Sequence, residues 1–447
     1  MAKAIKAIQC PKCGSPQKVE VRPDVFRCES CGTEYFLDND DINVNYTVRS
    51  PGVPAAVPAN RGVLVGVIAG VALLLVFALR WLGSSPSTPS YPTPQYSVTT
   101  GAGTTAAAET HSFSADESQL YLAPQQQPRL FRVGERSYNG PTKSSSYAVF
   151  SDAATGEVLH EEPVPVPAGS SRTEFDLKQF ASGELYCIVN KTTVFQVNTA
   201  TNTLKDVTKT LFRGQPELGS GVATVEPGDD DYGDYFALFT NDGRTLNFFP
   251  RTGTVYTKDE LYKARHGFES LRPGSPTETR FIFSEKTPEY PEEKILFIKY
   301  LARTNPGGPQ ILPRFAWEDD YGGSGIFTDA DPHRKVLTTT YDLKESRVLS
   351  FANFTPGRLY FEPRVLCSDA GYVLIAFKPT AAPTALATVQ CLNARTGAIV
   401  FTRPLAGSSM PDEARRYPAG FALRDGSSAF VINISGALTV PDRKAHV

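Results

Sequence analysis

The sequence has few methionines and tryptophans and almost no net charge. Its 447 residues include two methionines and two tryptophans, but 35 glycines and 35 prolines. Glycine and proline interrupt regular segments and favour turns, which argues against a protein built from long helices. The formal net charge is −2, which excludes the broad basic surface that nucleic acid requires. We therefore expect a mainly β protein with no nucleic-acid partner.

The common catalytic motifs are also missing. Five histidines are scattered along the chain at His111, His160, His266, His333 and His446. No H-E-x-x-H, P-loop, G-x-G-x-x-G or G-x-S-x-G pattern occurs. The sequence therefore predicts no catalytic residues and a protein that is not an enzyme. A site assembled from distant loops leaves no such motif, so an enzyme remains the alternative.

Four cysteines near the start of the chain predict a metal site. Cys10, Cys13, Cys28 and Cys31 form a C-x2-C-x14-C-x2-C pattern, as expected for a tetrahedral site with four thiolate ligands. A segment this short cannot bury an adequate core, so the metal would stabilise its fold. We interpret residues 1–40 as a structural zinc ribbon. Iron is the alternative metal, although the spacing favours zinc.

An apolar run after a short linker (41–60) predicts a single membrane-spanning helix at 61–82. Residues 62–79 carry no charge, and a helix of that length nearly crosses the hydrocarbon layer. Basic residues precede the run, whereas none follows Arg80 until Arg129. The positive-inside rule then places the ribbon in the cytoplasm and the C-terminal region outside the cell membrane.

Three glycines share one face of this predicted helix. Gly62, Gly66 and Gly70 recur every fourth residue, a spacing that allows two helices to approach closely and indicates a possible homodimer. The alternative is that glycine is simply common in membrane helices. After the helix, residues 83–118 are rich in Ser, Thr and Pro, and we interpret them as a disordered tether.

Residues 119–447 contain a repeated pattern of short strands and tight turns. Turns often written Thr-Gly fall at positions 155, 201, 252, 304, 346, 396 and 435. Such spacing leaves room for about four short strands per repeat and is typical of β-propellers. We therefore predict a seven-bladed β-propeller. A two-sheet sandwich is the alternative, but a repeated hairpin over so long a segment argues against it.

Two of these turns carry a family resemblance. Asp152–Gly156 and Asn393–Gly397 resemble the turn of the quinoprotein-type, or pyrroloquinoline-quinone (PQQ)-like, propeller repeat. The resemblance implies the propeller fold. The family prefers tryptophan where His160 and Phe401 stand, and its catalytic members carry a disulfide between adjacent cysteines, a pair that this sequence lacks. No PQQ cofactor is therefore expected.

Two acidic segments are candidates for a ligand site. Asp230 and Asp231 precede Tyr-Gly, and Asp319 and Asp320 precede the same dipeptide. If both loops lay on one face, their carboxylates would suit Ca²⁺, and the tyrosines would suit a sugar or peptide. The alternative is a pair of solvated acidic loops.

The three cysteines outside the ribbon are expected to be free. We place Cys367 and Cys391 on the first and third strands of one repeat, with a strand between them. Strands about 4.8 Å apart would keep these thiols too far from each other for a disulfide. Cys187 completes the set, so we predict three free, mostly buried thiols.

Two main functions follow from this organisation. The first is a single-pass membrane protein that presents an extracytoplasmic propeller for binding or scaffolding a protein or small ligand. The second is a propeller enzyme, either a quinone-dependent dehydrogenase or a hydrolase. A sensor that couples a propeller ligand to the ribbon is a further alternative.

Overall fold

The protein is described by a computed structural model over residues 18–22, 25–29, 34–36, 111–138, 144–166, 173–320 and 334–441. These residues form mainly antiparallel β-sheets, which confirms the prediction of a mainly β protein. The predicted helix 61–82, with its three glycines, lies outside the described residues. In the part that is described, none of the helices has the length and apolar character needed to cross a membrane.

A small sheet lies near the N-terminus, within the predicted ribbon. It consists of β1 (Lys18–Arg22), β2 (Val25–Cys28) and β3 (Glu34–Phe36) in that order. The backbone of Cys28 ends β2. The other three predicted zinc ligands, Cys10, Cys13 and Cys31, lie outside the described residues.

The larger β region contains six meandering sheets, numbered here in chain order. Sheet 1 is β4 (His111–Leu122), β5 (Pro128–Tyr138), β6 (Ser145–Asp152) and β7 (Val158–Pro163). Sheet 2 is β8 (Phe175–Gln179), β9 (Leu185–Val189), β10 (Thr193–Asn198) and β11 (Thr203–Asp206). Sheet 3 is β12 (Val222–Pro227), β13 (Phe236–Thr240), β14 (Thr245–Phe249) and β15 (Thr254–Tyr256).

Of the remaining three sheets, one has three strands and two have four. Sheet 4 is β16 (Thr277–Phe283), β17 (Phe297–Arg303) and β20 (Val348–Asn353), with a separate ribbon of β18 (Glu318–Asp320) and β19 (Arg334–Val336) inserted before β20. Sheet 5 is β21 (Phe361–Ser368), β22 (Tyr372–Lys378), β23 (Thr388–Asn393) and β24 (Ile399–Pro404). Sheet 6 is β25 (Glu413–Tyr417), β26 (Gly420–Asp425), β27 (Ser428–Asn433) and β28 (Leu438–Thr439).

Three short α-helices connect strands at the edge of this region. They are α1 (Thr208–Leu211), α2 (Lys258–Arg265) and α3 (Thr340–Glu345). Strand β4 begins at His111, so residues 111–118 belong to sheet 1 rather than to the expected tether.

The repeated turns join the third and fourth strands of five sheets. In sheet 1 the Asp152 carboxylate accepts hydrogen bonds from Ala154 N (2.8 Å) and Thr155 N (3.0 Å), and Gly156 follows with φ of +77°. The Asn393 side chain accepts equivalent bonds in sheet 5. The side chain thus replaces missing backbone partners, and glycine supplies the left-handed conformation that closes the turn.

The expected count of seven blades differs from the six sheets found among the described residues. The turns at 304 and 346 both belong to sheet 4, where they flank the ribbon and α3 between β17 and β20. One repeat with a long insertion was therefore counted as two. Turn residues mark connections, but they do not show which strands pair across an insertion.

Five pairs of sheets, the last and the first among them, pack against each other. Separate clusters of buried side chains lie between sheets 1 and 2, 2 and 3, 4 and 5, 5 and 6, and 6 and 1. Between sheets 3 and 4, Gln310 N donates to Tyr232 O at 3.1 Å. The first strands of sheets 6 and 1, β25 and β4, lie side by side. This arrangement is consistent with a β-propeller.

Sheets 1 and 6 meet at a contact that we call the closing seam. Each of the two sheets is one continuous stretch of chain, so no shared strand joins them. Glu413 in β25 instead accepts hydrogen bonds from Leu120 N at 2.9 Å and from Gln119 Nε2 at 2.5 Å. Arg424 Nε donates to the same carboxylate at 2.7 Å. Leu120 packs with Val431 and neighbouring alanines beneath these bonds.

A buried arginine fixes the insertion of sheet 4. Arg347 is only 2% exposed, and burial lowers its pKa to about 10. Its guanidinium donates to the carbonyls of Gly267 (2.9 Å), Pro309 (3.2 Å) and Ala264 (2.7 Å), and to Ser270 Oγ (2.7 Å). Neutral acceptors thus surround the cation, and its hydrogen bonds connect the residue before β20 to the segment before β16 and to the insertion.

The cysteine prediction agrees with the strand register. Cys367 in β21 pairs with Leu374, and Leu374 pairs with Cys391 in β23, so one strand separates the two thiols. Cys187, Cys367 and Cys391 are all free, the first and third buried and the second half-buried.

We expect replacement of Glu413 at the closing seam by alanine to lower the free energy of unfolding strongly. The buried Leu120 amide would lose its acceptor and the Arg424 guanidinium would lose one of its two carboxylate partners, which we expect to cost about 3 kcal/mol in the free energy of unfolding. Urea unfolding would measure it. Asp412→Ala is the control, because Asp412 bonds only within sheet 6, to Arg424 and Gly426 N, and should cost about 1 kcal/mol. Equal, small losses in both variants would show that the seam does not depend on this carboxylate.

Candidate functional site

The first predicted acidic segment is a short 3₁₀ turn between β12 and β13. Asp229 caps the turn by accepting from Asp231 N at 2.9 Å. The Asp230 carboxylate forms an ion pair with Lys178, a buried lysine that also donates to Gly228 O at 2.7 Å. Partial burial raises the pKa of Asp231, and Asp229 raises it further. The turn is therefore attached to sheet 2 by an ion pair.

The second predicted acidic segment lies in a different kind of connection. Asp319 and Asp320 belong to β18, in the ribbon between the second and third strands of sheet 4. Asp319 accepts a hydrogen bond from Tyr290 Oη, and Asp320 pairs with Arg334 at 3.2 Å. The two acidic segments therefore do not occupy equivalent positions. Nowhere in the described residues do three metal-ligating side chains come together.

A cavity that the sequence did not reveal lies at the closing seam. We call it the seam cavity; its volume is about 170 Å³. Sheet 1 contributes Phe113, Leu130, Arg132, Arg136 and Val149; the β26–β27 turn contributes Asp425, Ser427 and Ser428; Val440 and Pro441 close another side.

Apolar and charged side chains share the cavity face of β5. Side chains alternate along a strand, so Leu130, Arg132 and Arg136 share the face toward sheet 6, while Phe131 packs against sheet 2. Leu130 is covered by alanines of sheet 6. Arg132 and Arg136 lie farther along the strand and line the cavity together with the β26–β27 turn.

Arg136 is the main charged group of the seam cavity. It is 6% exposed, its Nη2 donates to Glu161 Oε2 at 2.5 Å, and its Cζ lies 3.6 Å from the centre of the Tyr147 ring. Its Nε is buried and has no hydrogen-bond partner among the described residues. A buried donor without a partner carries a desolvation cost of about 1–3 kcal/mol. This atom is a position where a ligand acceptor would be stabilising.

The acids that line the cavity are already hydrogen-bonded. Glu161 pairs with Arg136, Asp152 pairs with Arg129, and Asp425 accepts from Ser409 Oγ at 2.9 Å. The Nε2 atom of His111 is buried and lacks a partner within the described part of the chain. The Nε–H of Arg136 therefore remains for an acceptor, and an anion suits it.

The apolar walls and the volume limit the size of such an anion. Phe113, Leu130 and Val149 form much of the lining. A dry cavity of about 150 Å³ holds benzene in another protein. The seam cavity thus matches a small organic acid with an aromatic or branched body.

The sequence holds only a weak signal for this site. Two arginines occupy the same face as Leu130 in the run Leu-Phe-Arg-Val-Gly-Glu-Arg, where a core strand would have apolar residues. The sequence does not show that sheet 6, far along the chain, lines the same cavity as these arginines. The assignment of residues 111–118 to a tether also hid His111 and Phe113.

A second group of polar side chains lies on adjacent first strands. Burial raises the pKa of Glu117 in β4, and the nearby Asp176 in β8 raises it further, although Arg424 opposes the shift. Burial likewise raises the pKa of Asp176, with Lys191 opposing and Glu226 in β12 adding to it. Carboxyl groups that keep their proton to higher pH are suited to general acid catalysis.

No protein-family model and no curated protein matches this sequence. Some solved structures resemble it at low identity. BBS1N, crystallised in complex with ARL6DN, is 10% identical with a TM-score of 0.20, over 75% of this chain and 98% of that chain. A structure from work on glycoside hydrolases of the GH130 family that target β-1,2 mannosidic linkages in Candida mannan is 11% identical with a TM-score of 0.23, over 80% and 99%.

A glycosyl hydrolase from Bacteroides ovatus is 9% identical with a TM-score of 0.22, over 75% of this chain and 86% of that chain. The presence of hydrolases among these structures contradicts the expectation that the chain is not an enzyme, and we withdraw that expectation. At such TM-scores the similarities assign neither an activity nor a substrate to this chain.

Proposed function

We propose that this chain is a membrane-anchored binding protein that takes a small organic anion in the seam cavity. The observation that carries the proposal is Arg136, a buried guanidinium in an apolar cavity with its Nε unpartnered among the described residues. A carboxylate at this position would accept a charge-assisted hydrogen bond, and its apolar body would contact Phe113 and Leu130.

The proposal extends to the organisation of the whole chain. Residues 1–40 hold a structural zinc ion in the cytoplasm, 61–82 cross the membrane, and the β region lies outside as a propeller of six blades. The side-chain-capped turns in sheets 1 and 5 support a likeness to quinoprotein-type repeats. No quinone is part of the proposal.

If Arg136 binds a carboxylate, small organic acids should stabilise the protein selectively. We expect benzoate, phenylacetate or hexanoate to raise the melting temperature of the full-length protein in detergent, while their amides do not. Replacing Arg136 by methionine should weaken binding about tenfold or more, because a hydrogen bond to a charged group contributes about 1.5–3 kcal/mol. Calorimetric titration would measure the affinity.

Arg303→Met is the matched control for this test. Arg303 is a half-buried arginine at the end of β17 in sheet 4, it donates to Ser275 O at 3.3 Å, and it does not line the seam cavity. Equal loss of binding in both variants, or equal stabilisation by acids and amides, would contradict an anion site at Arg136.

The ribbon predicts one zinc ion per chain. Replacing Cys10 or Cys28 by serine should release the metal, because a structural zinc site needs all four thiolates. Elemental analysis of the purified full-length protein would measure it, with Cys367→Ser as a control that keeps its zinc. Iron in place of zinc, or zinc retained after loss of Cys28, would contradict the assignment.

A hydrolase is the second candidate function. Glu117 and Asp176 favour it, since both carboxyl groups have raised pKa values and stand on adjacent first strands. One protonated and one ionised carboxyl group would supply the acid and base that hydrolysis of a glycoside or ester requires.

The raised pKa of Asp176 predicts a specific dependence of stability on pH. Because the folded pKa exceeds the unfolded one, Asp176 stabilises the fold at low pH and loses that contribution as pH rises through the folded pKa. Asp176→Asn should therefore match the wild type near pH 3 and be more stable at pH 7, by less than about 1 kcal/mol because solvent screens the site. Urea unfolding at each pH would measure it, with the exposed Glu157→Gln as the control. A less stable Asp176→Asn protein at pH 7 would mean that the carboxylate forms a stabilising ion pair instead.

A further inference from the structure

Sheet 4 is one strand short of its neighbours. Within the described residues the other five sheets each have four strands, whereas sheet 4 has three and ends at β20. Five of the six residues of β20 are exposed. Leu349 is 50% exposed and Phe351 is 37% exposed, so apolar side chains lie where a fourth strand would cover them.

The other outer strands carry features that prevent pairing with a further strand. Strand β7 has two glutamates and ends in proline, β24 has an arginine and ends in proline, and β11 has a lysine and an aspartate. Strands β15 and β28 have only three and two residues. Strand β20, with the sequence Val-Leu-Ser-Phe-Ala-Asn, has no charge and no proline. Natural sheets protect exposed edges by such charges, prolines and short lengths.

The register shows which backbone groups of β20 point to the open edge. Phe354 N donates to Phe297 O at 2.7 Å. Ala352, two residues earlier in the chain than Phe354, pairs with Lys299. In an antiparallel pair, hydrogen-bonded and non-hydrogen-bonded positions alternate. The N–H and C=O groups of Phe351 and Asn353 therefore point away from β17, ready to bond to another strand.

We infer that β20 pairs with β20 of a second copy of this chain. An antiparallel strand pair has two-fold symmetry, so each copy offers the other the same set of donors and acceptors. The strand carries no charge, so self-pairing places no like charges opposite each other. Among the described residues each copy has one such edge, so the pair closes as a dimer and does not extend into a fibre.

The contact is small and suits copies held close together. A pair of six-residue strands covers less surface than the roughly 1,200 Å² that a stable free dimer usually buries. Chains confined to one membrane meet at a high effective concentration, which compensates for a weak contact. This step depends on the proposed membrane anchor, so the experiment measures pairing both in vesicles and in free solution.

The test is energy transfer between donor-labelled and acceptor-labelled full-length chains in phosphatidylcholine vesicles at low protein density. We expect transfer for the wild type, and an association constant at least about tenfold lower for Ser350→Lys, because each copy then brings a positive charge into the contact. Ser350→Gln, of similar size but uncharged, should keep the transfer. Asn353→Pro removes an outward N–H without touching the ladder to β17 and should also abolish it.

A parallel series carrying Gly66→Ile separates strand pairing from pairing of the predicted helix. Transfer that disappears with Gly66→Ile but persists with Ser350→Lys and Asn353→Pro would overturn the inference. Sedimentation of the protein in detergent at rising concentration gives the same comparison without a membrane. Dimers there that are sensitive to Ser350→Lys would support β20 pairing even if the membrane anchor is wrong.

Discussion

Closure between sheet 6 and sheet 1 is the constraint on which the rest of the β region depends. Four pairs of consecutive sheets share a buried cluster, and a hydrogen bond from Gln310 to Tyr232 connects sheets 3 and 4. The sixth contact joins Glu413 to the Leu120 amide across 293 residues of chain. Without it both terminal sheets would expose an apolar face, and the seam cavity would lose one wall. A buried hydrogen bond and a small apolar cluster thus determine whether the last sheet packs against the first.

The sequence predicted the parts of the fold that are set by local chemistry. The turn at Asp152 was readable because a capping side chain, threonine and glycine specify one backbone geometry. The separation of Cys367 and Cys391 followed from counting strands. The number of sheets was not readable, since the connection between β17 and β20 contains a ribbon and a helix, and the residues at 304 and 346 look like ordinary turns. The pairing of β17 with β20 is non-local.

Some candidate site residues are likewise visible in the sequence, whereas others are brought together only by the fold. The zinc ligands are predicted by spacing alone, and that prediction remains to be tested by experiment. The acidic segments at Asp230 and Asp319 were visible as composition, yet their ion-pair and hydrogen-bond partners come from other elements of the fold. Arg136 is a candidate only because sheet 6, far along the chain, lines the same cavity. A functional position created by contact between distant segments has no motif.

The absence of a shared strand at the closing seam has a consequence for synthesis of the chain. In a chain made at about 5–20 residues per second, tens of seconds pass between the emergence of Leu120 and that of Glu413. During this time sheet 1 has formed its own strand pairs, but its face toward sheet 6 is open. A chain that stops before Glu413 therefore leaves Leu120 and Leu130 without their apolar neighbours from sheet 6.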